Sequence, residues 1–276
     1  MTSFELFDAL VHAEHEDEVD RILERAGFSF RNEGAWRPLG GEENNFSTVG
    51  NQQTEATAAL VEKVINGIDA VLMAECFRRG IDPEGPKAPV SMSAAVEQFI
   101  DVKDGRLDNL AASEQTLLAD RIHLVAVGDK LSPCYLVVDR GEGQSPAAFP
   151  ETFLSLNKSN KMRIPFVQGK FNMGGTGALQ FCGNEHKVQL IVSRRNPVLL
   201  ASGHSHRDTQ WGFTIVRREP PTAGVKSSVF TYLAPVGARE NPYGDILTFS
   251  ADEWQIFPEA DDKVRERMHA LRPMGH

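Results

Sequence analysis

Residues 54–79 carry the clearest helical pattern in this chain of 276 residues. Apolar side chains recur there at intervals of three and four, which places them on one side of a helix. They are Leu60, Val61, Val64, Ile65, Ile68, Val71 and Leu72. Gly80 and Pro83 end the pattern. We therefore expect a long helix that turns one side to a core and leaves a separate polar side.

The remaining patterns predict a chain of helices followed by strands, with a glycine-rich segment between strands. The predicted elements are a helix over 4–26, weaker helices over 92–101 and 113–120, a hairpin of IHLVAVGDK and CYLVVD, a short helix over 178–182, the strands VQLIVSRR, WGFTIVRRE and SSVFTYLA, and a last helix over 252–271. This order suits an α+β fold, a two-layer sandwich of a mixed, mostly antiparallel sheet with helices on one face.

Composition restricts the class of partner only loosely. The formal net charge is −9, which argues against a bulk electrostatic grip on nucleic acid or anionic lipid, although a local basic groove remains compatible with it. The longest apolar runs are too short to span a bilayer. Three cysteines stand far apart, which is typical of a reducing cytoplasm. We expect a cytoplasmic protein that is not embedded in a membrane.

A first polar group interrupts the long helix. It consists of Glu62, Asn66 and Asp69, which steps of four and three residues place within about 60° of arc. An amide oxygen is a suitable Mg²⁺ ligand, since this ion takes one or two protein ligands beside water and phosphate. A glutamate one turn earlier is placed to act as a general base. The spacing predicts a metal–phosphate site, and the alternative is a solvated helix face.

A second group follows the strand CYLVV directly. Asp139 ends that strand, and Gly141 and Gly143 alternate after it. The carboxylate can accept a hydrogen bond from an exocyclic amine, while glycines let the backbone pass close to a planar ligand. The alternative is an ordinary tight turn, for which Asp and Gly are the usual residues.

A third group is the glycine-rich segment from Gly169 to Gly177. Gly169, Gly174, Gly175 and Gly177 precede a predicted helix, and backbone N–H groups at such a place can hold a phosphate. Lys161 lies upstream in the same segment. The pattern is neither a P-loop nor a dinucleotide fingerprint, because the closing Gly-Lys-Ser/Thr and the glycine spacing are missing. The alternative is a flexible loop.

Taken in order, the three groups resemble the motifs of the GHKL superfamily, named for gyrase, Hsp90, histidine kinase and MutL. The first motif is matched by Glu62-Lys63-Val64-Ile65-Asn66-Gly67-Ile68-Asp69-Ala70, the second by Asp139 to Gly143 and the third by Gly169 to Gly177. The resemblance covers about residues 45–235. It implies a Bergerat-type fold with ATP between the helices and a lid. It also implies an N-terminal helical extension over 1–40, an ATP-binding domain over 41–240 and a C-terminal extension over 241–276.

The resemblance also implies a role for each site residue. Glu62 would activate water, Asn66 would ligate Mg²⁺, and Asp139 would bind the adenine amine. The other ATP-binding positions would be Asp69, Gly141, Gly143, Lys161, Gly169, Gly174, Gly175, Thr176 and Gly177, with Ser227 or Ser228 as a looser match near adenine. Gly67 and Lys63 depart from the residues usual in that superfamily.

The expected function is that of an ATPase, in which ATP with Mg²⁺ drives a conformational switch or a nucleotide-dependent homodimer, with a protein partner as a further possibility. One alternative is a nucleotide sensor or scaffold without turnover. The other is a kinase, with His12 or His15 as acceptor. Arg194-Arg195 and Arg217-Arg218 end two predicted strands. They are interpreted either as a small basic patch or as solvated strand ends.

Overall fold

The chain forms seven α-helices and seven strands within the residues that the computed structural model describes, which are 1–29, 32, 34–50, 53–156, 161–169, 174–200, 202–221, 226–235 and 244–254. The helices are α1 (Ser3–Val11), α2 (Glu16–Arg25), α3 (Phe46–Gly50), α4 (Ala56–Arg78), α5 (Met92–Ile100), α6 (Ala112–Ala119) and α7 (Gly174–Gly177). The strands are β1 (Trp36–Pro38), β2 (Ile122–Asp129), β3 (Ser132–Asp139), β4 (Gln189–Ser193), β5 (Trp211–Glu219), β6 (Val229–Leu233) and β7 (Leu247–Phe249).

The main sheet is curled and is built around β5. Its order is β1-β6-β5-β4, and β7 also pairs with β5. The hairpin β2–β3 forms a second, two-stranded sheet, and every strand pairing among the described residues is antiparallel. The central part of β5, from Gly212 to Arg217, is buried throughout. The protein is therefore of the α+β class.

One face of the main sheet is covered by the first two helices. Phe7 of α1 lies 5.6 Å from Phe213 and 4.7 Å from Phe249, measured between ring centroids. The shared core contains Leu6, Phe7, Leu10, Val19, Ile22, Leu23, Ala35, Trp36, Phe213, Ile215, Leu233 and Phe249. The apolar side chains that recur at helical spacing in residues 4–23 thus face the sheet, as their periodicity predicts.

The other face is covered by α3 and by irregular segments. Phe46 of α3 stacks on Phe230 at 5.9 Å. The buried Asn45 side chain accepts the Phe230 N–H and donates to the Phe230 carbonyl, each at 2.8 Å. Since α1 and α3 lie on opposite faces, helices cover both sides of this sheet. The expectation of helices on one face is wrong in that respect.

A third core forms around the long helix. Leu72, Met73 and Cys76 of α4 pack against Phe99 of α5 and against Phe166. The rings of Phe99 and Phe166 meet edge to face at 5.9 Å. The segment 161–169 is thereby fixed on α4, which becomes important for the site.

The sequence patterns locate most elements correctly. α4, α5, α6, the hairpin and strands β4 to β6 lie where they are predicted. The predicted helix over 4–26 is instead two helices with a break at residues 12–15, where the chain turns so that both pack on the sheet. The predicted helix over 252–271 lies mostly outside the described residues, and Ala251–Glu253 forms a 3-10 turn. No described helix is long and apolar enough to cross a membrane.

Glu16, at the start of α2, ties the first helices to the segment before β4. Its carboxylate accepts four consecutive backbone N–H groups, those of Asn184, Glu185, His186 and Lys187, at 2.8 to 3.0 Å. Burial acts to raise the pKa of Glu16, and the four N–H donors outweigh it, so the pKa lies below its usual value. The carboxylate thus orders a segment that has no strand ladder of its own.

A charged cluster lies beneath the same helices. The Arg217 side chain is 2% exposed and pairs with Asp20 of α2 at 2.8 Å. It also lies over the Trp36 ring and 3.5 Å from Glu219. Arg217 is therefore neither part of a basic patch nor a solvated strand end. Desolvation raises the pKa of Glu219 to about 7, although Arg217 and the Thr231 hydroxyl oppose it.

Glu219 makes folding stability depend on pH. Its carboxyl ionises near 4.5 in the unfolded chain and near 7 in the folded protein, so its contribution is present below pH 4.5 and is lost as pH rises through 7. Glu219→Gln lacks this titration. We therefore expect its free energy of unfolding, relative to that of wild type, to rise by about 1–2 kcal/mol from pH 5 to pH 8. Urea unfolding at the two pH values measures this.

The exposed Glu97 on α5 gives a matched control. The difference between Glu97→Gln and wild type should be the same at both pH values. If Glu219→Gln behaves like Glu97→Gln, then ionisation of Glu219 does not oppose folding.

Candidate functional site

The three polar residues of α4 lie in different environments. Asp69 is fully buried, whereas Glu62 and Asn66 are half-buried. Glu62 accepts a hydrogen bond from Gln53 Nε2 through Oε2 at 3.3 Å. The alternative expectation of a solvated helix face is therefore wrong for Asp69, which is the most buried of the three residues.

Asp69 is held by the backbone of the segment 161–169. Its carboxylate accepts the N–H of Gln168 at 3.0 and 3.2 Å and the N–H of Gly169 at 2.8 Å. Lys161 Nζ lies 4.0 Å from Asp69 Oδ2. A buried carboxylate needs such donors, because desolvation otherwise makes its charge costly. Asp69 therefore anchors the segment that precedes the glycine run.

The turn after β3 lies directly on α4. A Cβ on Gly141 would come within 2.4 Å of Ala70 Cβ and 2.7 Å of Ala70 O, so only glycine fits there. The N–H of Glu142 donates to the Ala70 carbonyl at 3.0 Å. Gly67 faces the same strand, since a Cβ there would lie 3.4 Å from Asp139 Cβ. The second motif thus lies on the same stretch of helix as the first.

Asp139 is the last residue of β3 and lies beside Gly67 of α4. Its Oδ1 accepts the Gly141 N–H at 2.9 Å. Burial of the carboxyl raises the pKa of Asp139, and this outweighs the Gly141 N–H and the nearby charge of Lys161. Nevertheless, solvent reaches the residue. The carboxylate is thus close to α4 and still accessible to a ligand from solvent.

A second set of residues supports that turn from behind. Arg195 Nη1 donates to Glu142 Oε2 at 2.9 Å and to the Gly143 carbonyl at 3.1 Å. Asn196 Nδ2 donates to the Gly141 carbonyl at 3.2 Å. The sequence analysis interpreted Arg195 as part of a basic patch or as a solvated strand end, and it missed Asn196. The sequence shows Arg195-Asn196 at the end of a predicted strand. No sequence pattern indicates that their partners lie more than fifty positions earlier in the chain.

The glycine-rich segment reaches the first motif through Gly169. A Cβ on Gly169 would lie 2.4 Å from Asn66 Oδ1 and 3.1 Å from Asp69 Oδ2. Glycine at this position therefore lets the backbone lie against the amide of Asn66. Further along, α7 packs against α3 and α4, and Thr176 and Gly177 are buried there. Residues 170–173 lie outside the described residues.

Lys63 lies beside Glu62 on α4. Desolvation lowers its pKa to about 8, and the charges of the Cys182 thiol and Glu62 oppose that shift. The ammonium is thus enclosed between α4 and the turn that follows α7. An apolar residue is usual at this position in the superfamily that the motifs resemble.

The structure brings half of the twelve predicted site residues together on one stretch of α4. Asn66, Asp69, Asp139, Gly141, Lys161 and Gly169 lie around the stretch Asn66–Ala70 of α4. Gly143 lies against the carbonyl of Arg194 instead and adopts φ +58°. Ser227 and Ser228 lie just before β6, and their place near adenine stays a prediction.

A cavity of about 260 Å³ lies elsewhere on α4. Val71, Ala74, Glu75 and Arg78 line it from the side of the helix opposite to Glu62, together with Arg121, Arg140 and Asn196 among others. The buried Glu75 pairs there with Arg78 and with Arg121. The cavity shares the turn after β3 with the candidate site but none of its predicted ligands.

Comparison with known proteins adds nothing to this geometry. No protein-family model, curated protein or solved structure matches the chain. Within the described residues there is also no group of three or more His, Cys, Asp or Glu side chains placed to hold a metal ion. The residues themselves and the motif resemblance are therefore what indicates a function for this chain.

Replacement of Asp69 by Asn should release the segment 161–169. The amide would turn an N–H₂ group toward the Gln168 and Gly169 N–H donors, so at least one buried donor loses its acceptor. We expect a loss of about 2–3 kcal/mol in the free energy of unfolding. Urea denaturation measures the loss, and faster hydrogen exchange at residues 168 and 169 locates it.

Asp82→Asn is the matched control, because the exposed Asp82 also accepts one backbone N–H, that of Glu84 at 3.1 Å. It should cost less than about 1 kcal/mol. Equal losses from the two variants would contradict the anchoring role of Asp69.

Proposed function

We propose that this chain binds ATP with Mg²⁺ and hydrolyses it, with a conformational or dimerisation switch as the output. In this proposal, the fold is a divergent Bergerat-type sandwich of the GHKL superfamily. The supporting observation is that three motifs far apart in sequence converge on residues 66–70 of α4. Gly67 and Ala70 contact the Asp139 turn, and Asn66 and Asp69 contact Gly169.

The residues present fit a nucleotide with a divalent cation. An amide oxygen, two carboxylates and an ammonium lie on neighbouring elements, from Asn66, Glu62, Asp139 and Lys161, and hard oxygen donors are what Mg²⁺ prefers. Gly169 leaves open the space that a Cβ would fill 2.4 Å from Asn66 Oδ1. The donor set is thus appropriate in type for the proposed ligand.

Bound ATP would supply the bond that is broken, and Mg²⁺ would place positive charge on the phosphate oxygens. Asn66 would offer its amide oxygen to the metal. Glu62, one turn earlier and oriented by Gln53, would take the proton of the attacking water. Asp139 would accept the exocyclic amine of the base. Lys161 and the backbone N–H groups of Gly174, Gly175 and Gly177 would contact the phosphates.

The segment 161–169 is the part that the nucleotide would move. Gly169 lies against Asn66, so a cation that takes Oδ1 as ligand competes with this backbone contact. Lys161 lies between two acidic groups, 4.0 Å from Asp69 and within the field of Asp139. An anionic phosphate would compete for the same ammonium. Nucleotide binding would therefore change where this segment rests, which is the basis of the proposed switch.

Asp139→Asn should weaken ATP binding. Asn keeps an oxygen for the Gly141 N–H but loses the charge and the second acceptor for the amine. We expect the Kd for ATP with Mg²⁺ to rise at least about tenfold in calorimetric titration. Absence of binding by wild-type protein would overturn the proposed function.

Asp129 at the other end of β2 supplies a control. It also accepts a backbone N–H, that of Leu131 at 2.7 Å, so Asp129→Asn tests the hairpin without touching the site. Its Kd should equal that of wild type. A similar loss in both variants would mean that hairpin stability, and not Asp139 itself, governs binding.

Glu62→Ala should bind ATP but turn it over at least about a hundredfold more slowly, since a general base typically contributes 10²–10⁴-fold. Glu55→Ala, at the exposed start of the same helix, should keep the wild-type rate. Binding without turnover in wild type would favour the sensor or scaffold. Transfer of phosphate to His12 or His15 would favour the kinase.

A further inference from the structure

The cavity on the side of α4 opposite to Glu62 is formed by four parts of the chain that lie far apart in sequence. α4 contributes four residues at intervals of three and four, which form one side of the helix. The other walls come from the end of α6 and the residues after it, from the turn after β3 and from the segment after β4. Its volume of about 260 Å³ lies just under the roughly 300–1,000 Å³ of pockets for drug-sized ligands. The cavity therefore suits a smaller molecule.

Glu75 holds two guanidinium groups at the cavity wall. Its Oε1 accepts a hydrogen bond from Arg121 Nη1 at 2.8 Å, and its Oε2 accepts one from Arg78 Nη2. Burial acts to raise the pKa of Glu75, but the two arginines outweigh it, so the pKa lies below its usual value. A guanidinium carries five N–H donors, and the Glu75 contact takes one from each arginine. Both groups are thus held in place, and solvent reaches both side chains.

The charges of the lining favour an anion with a single charge. Three arginines line the cavity, Arg78, Arg121 and Arg140, together with two carboxylates, those of Glu75 and Asp120. One positive charge is therefore left over. Guanidinium groups bind carboxylates and phosphates through paired N–H donors. A monocarboxylate would balance the lining, whereas a phosphate group carries about −1.5 to −2 at neutral pH.

Apolar side chains form much of the remaining wall. Leu117 and Val198 line the cavity and are 70% and 72% exposed. Val71, Ala74 and Leu199 add further apolar surface to the lining. Large apolar side chains that stay exposed beside a charged cavity offer surface that a ligand can remove from water. A ligand that fits this lining has an apolar body beside its charged group.

We propose that this cavity binds a small organic monocarboxylate, with its carboxylate on Arg78 and Arg121 and its apolar body against Leu117 and Val198. The carboxylate would be a second acceptor, beside Glu75, for the two guanidinium groups. The proposed nucleotide ligands lie on the other side of α4, so the cavity is a second site on the same helix.

The test is calorimetric titration of the 276-residue chain with sodium benzoate and with 3-methylbutanoate as probes. Wild type should bind at least one of them saturably, with one molecule per chain. The corresponding primary amides keep the shape of the probes but lack the charge, so their Kd should be at least about tenfold higher. Inorganic phosphate should also bind more weakly. Because no nucleotide is present, the result is independent of the proposed ATPase function.

Two variants locate the bound probe. Arg78→Gln removes one guanidinium, and Val198→Asp places a negative charge at the apolar wall, so each should raise the Kd at least about tenfold. Val198 is exposed, so Val198→Asp keeps the fold even if Arg78→Gln does not. Arg21→Gln is the matched control, because Arg21 is also an exposed helical arginine, paired with Asp17 at 2.6 Å, outside the cavity lining. It should keep the wild-type Kd.

Three results would overturn the proposal. In the first, neither probe binds wild type saturably, or the amides bind as tightly as the carboxylates. In the second, Val198→Asp binds the probe with the wild-type Kd, which would place the probe elsewhere on the protein. In the third, phosphate binds more tightly than either carboxylate, which would make the cavity a site for an inorganic anion.

Discussion

The contact between Gly141 and α4 is the constraint on which the rest of the site depends. No side chain separates the turn after β3 from the helix backbone at Ala70, and the Glu142 N–H bonds directly to the Ala70 carbonyl. Backbone contacts of this kind vary less than contacts through long side chains, because they involve no rotamers. The position of the turn after β3 relative to α4 is therefore set by main-chain geometry.

Two carboxylates, one buried and one half-buried, organise irregular parts of this fold. Asp69 binds the N–H groups of residues 168 and 169, and Glu16 binds those of residues 184–187. These segments lie before and after the glycine run and lack strand partners for their N–H groups. Each carboxylate supplies the missing acceptors. The loops thus gain defined positions without becoming part of the sheet.

The sequence patterns predicted the elements that are long enough to show a hydrophobic period. They missed the elements and contacts that depend on residues far away in the chain. α4 and the hairpin extend far enough for their spacing to show, whereas β1 and β7 have three residues each. The spacing also grouped Glu62, Asn66 and Asp69. It could not show that Asp69 would bind residues 168 and 169, or that Arg217 would be buried against Asp20. Those partners lie roughly a hundred or more positions away, and only the folded chain brings them together.

The packing of α1 on β5 and β7 has a consequence for the order of events during synthesis. Phe7 is synthesised more than 200 residues before its ring neighbours Phe213, Phe249 and Trp254. At a synthesis rate of about 5–20 residues per second, roughly ten to fifty seconds pass between the synthesis of α1 and that of the strands on which it packs. Throughout that interval the apolar side of α1 lacks its native strand partners.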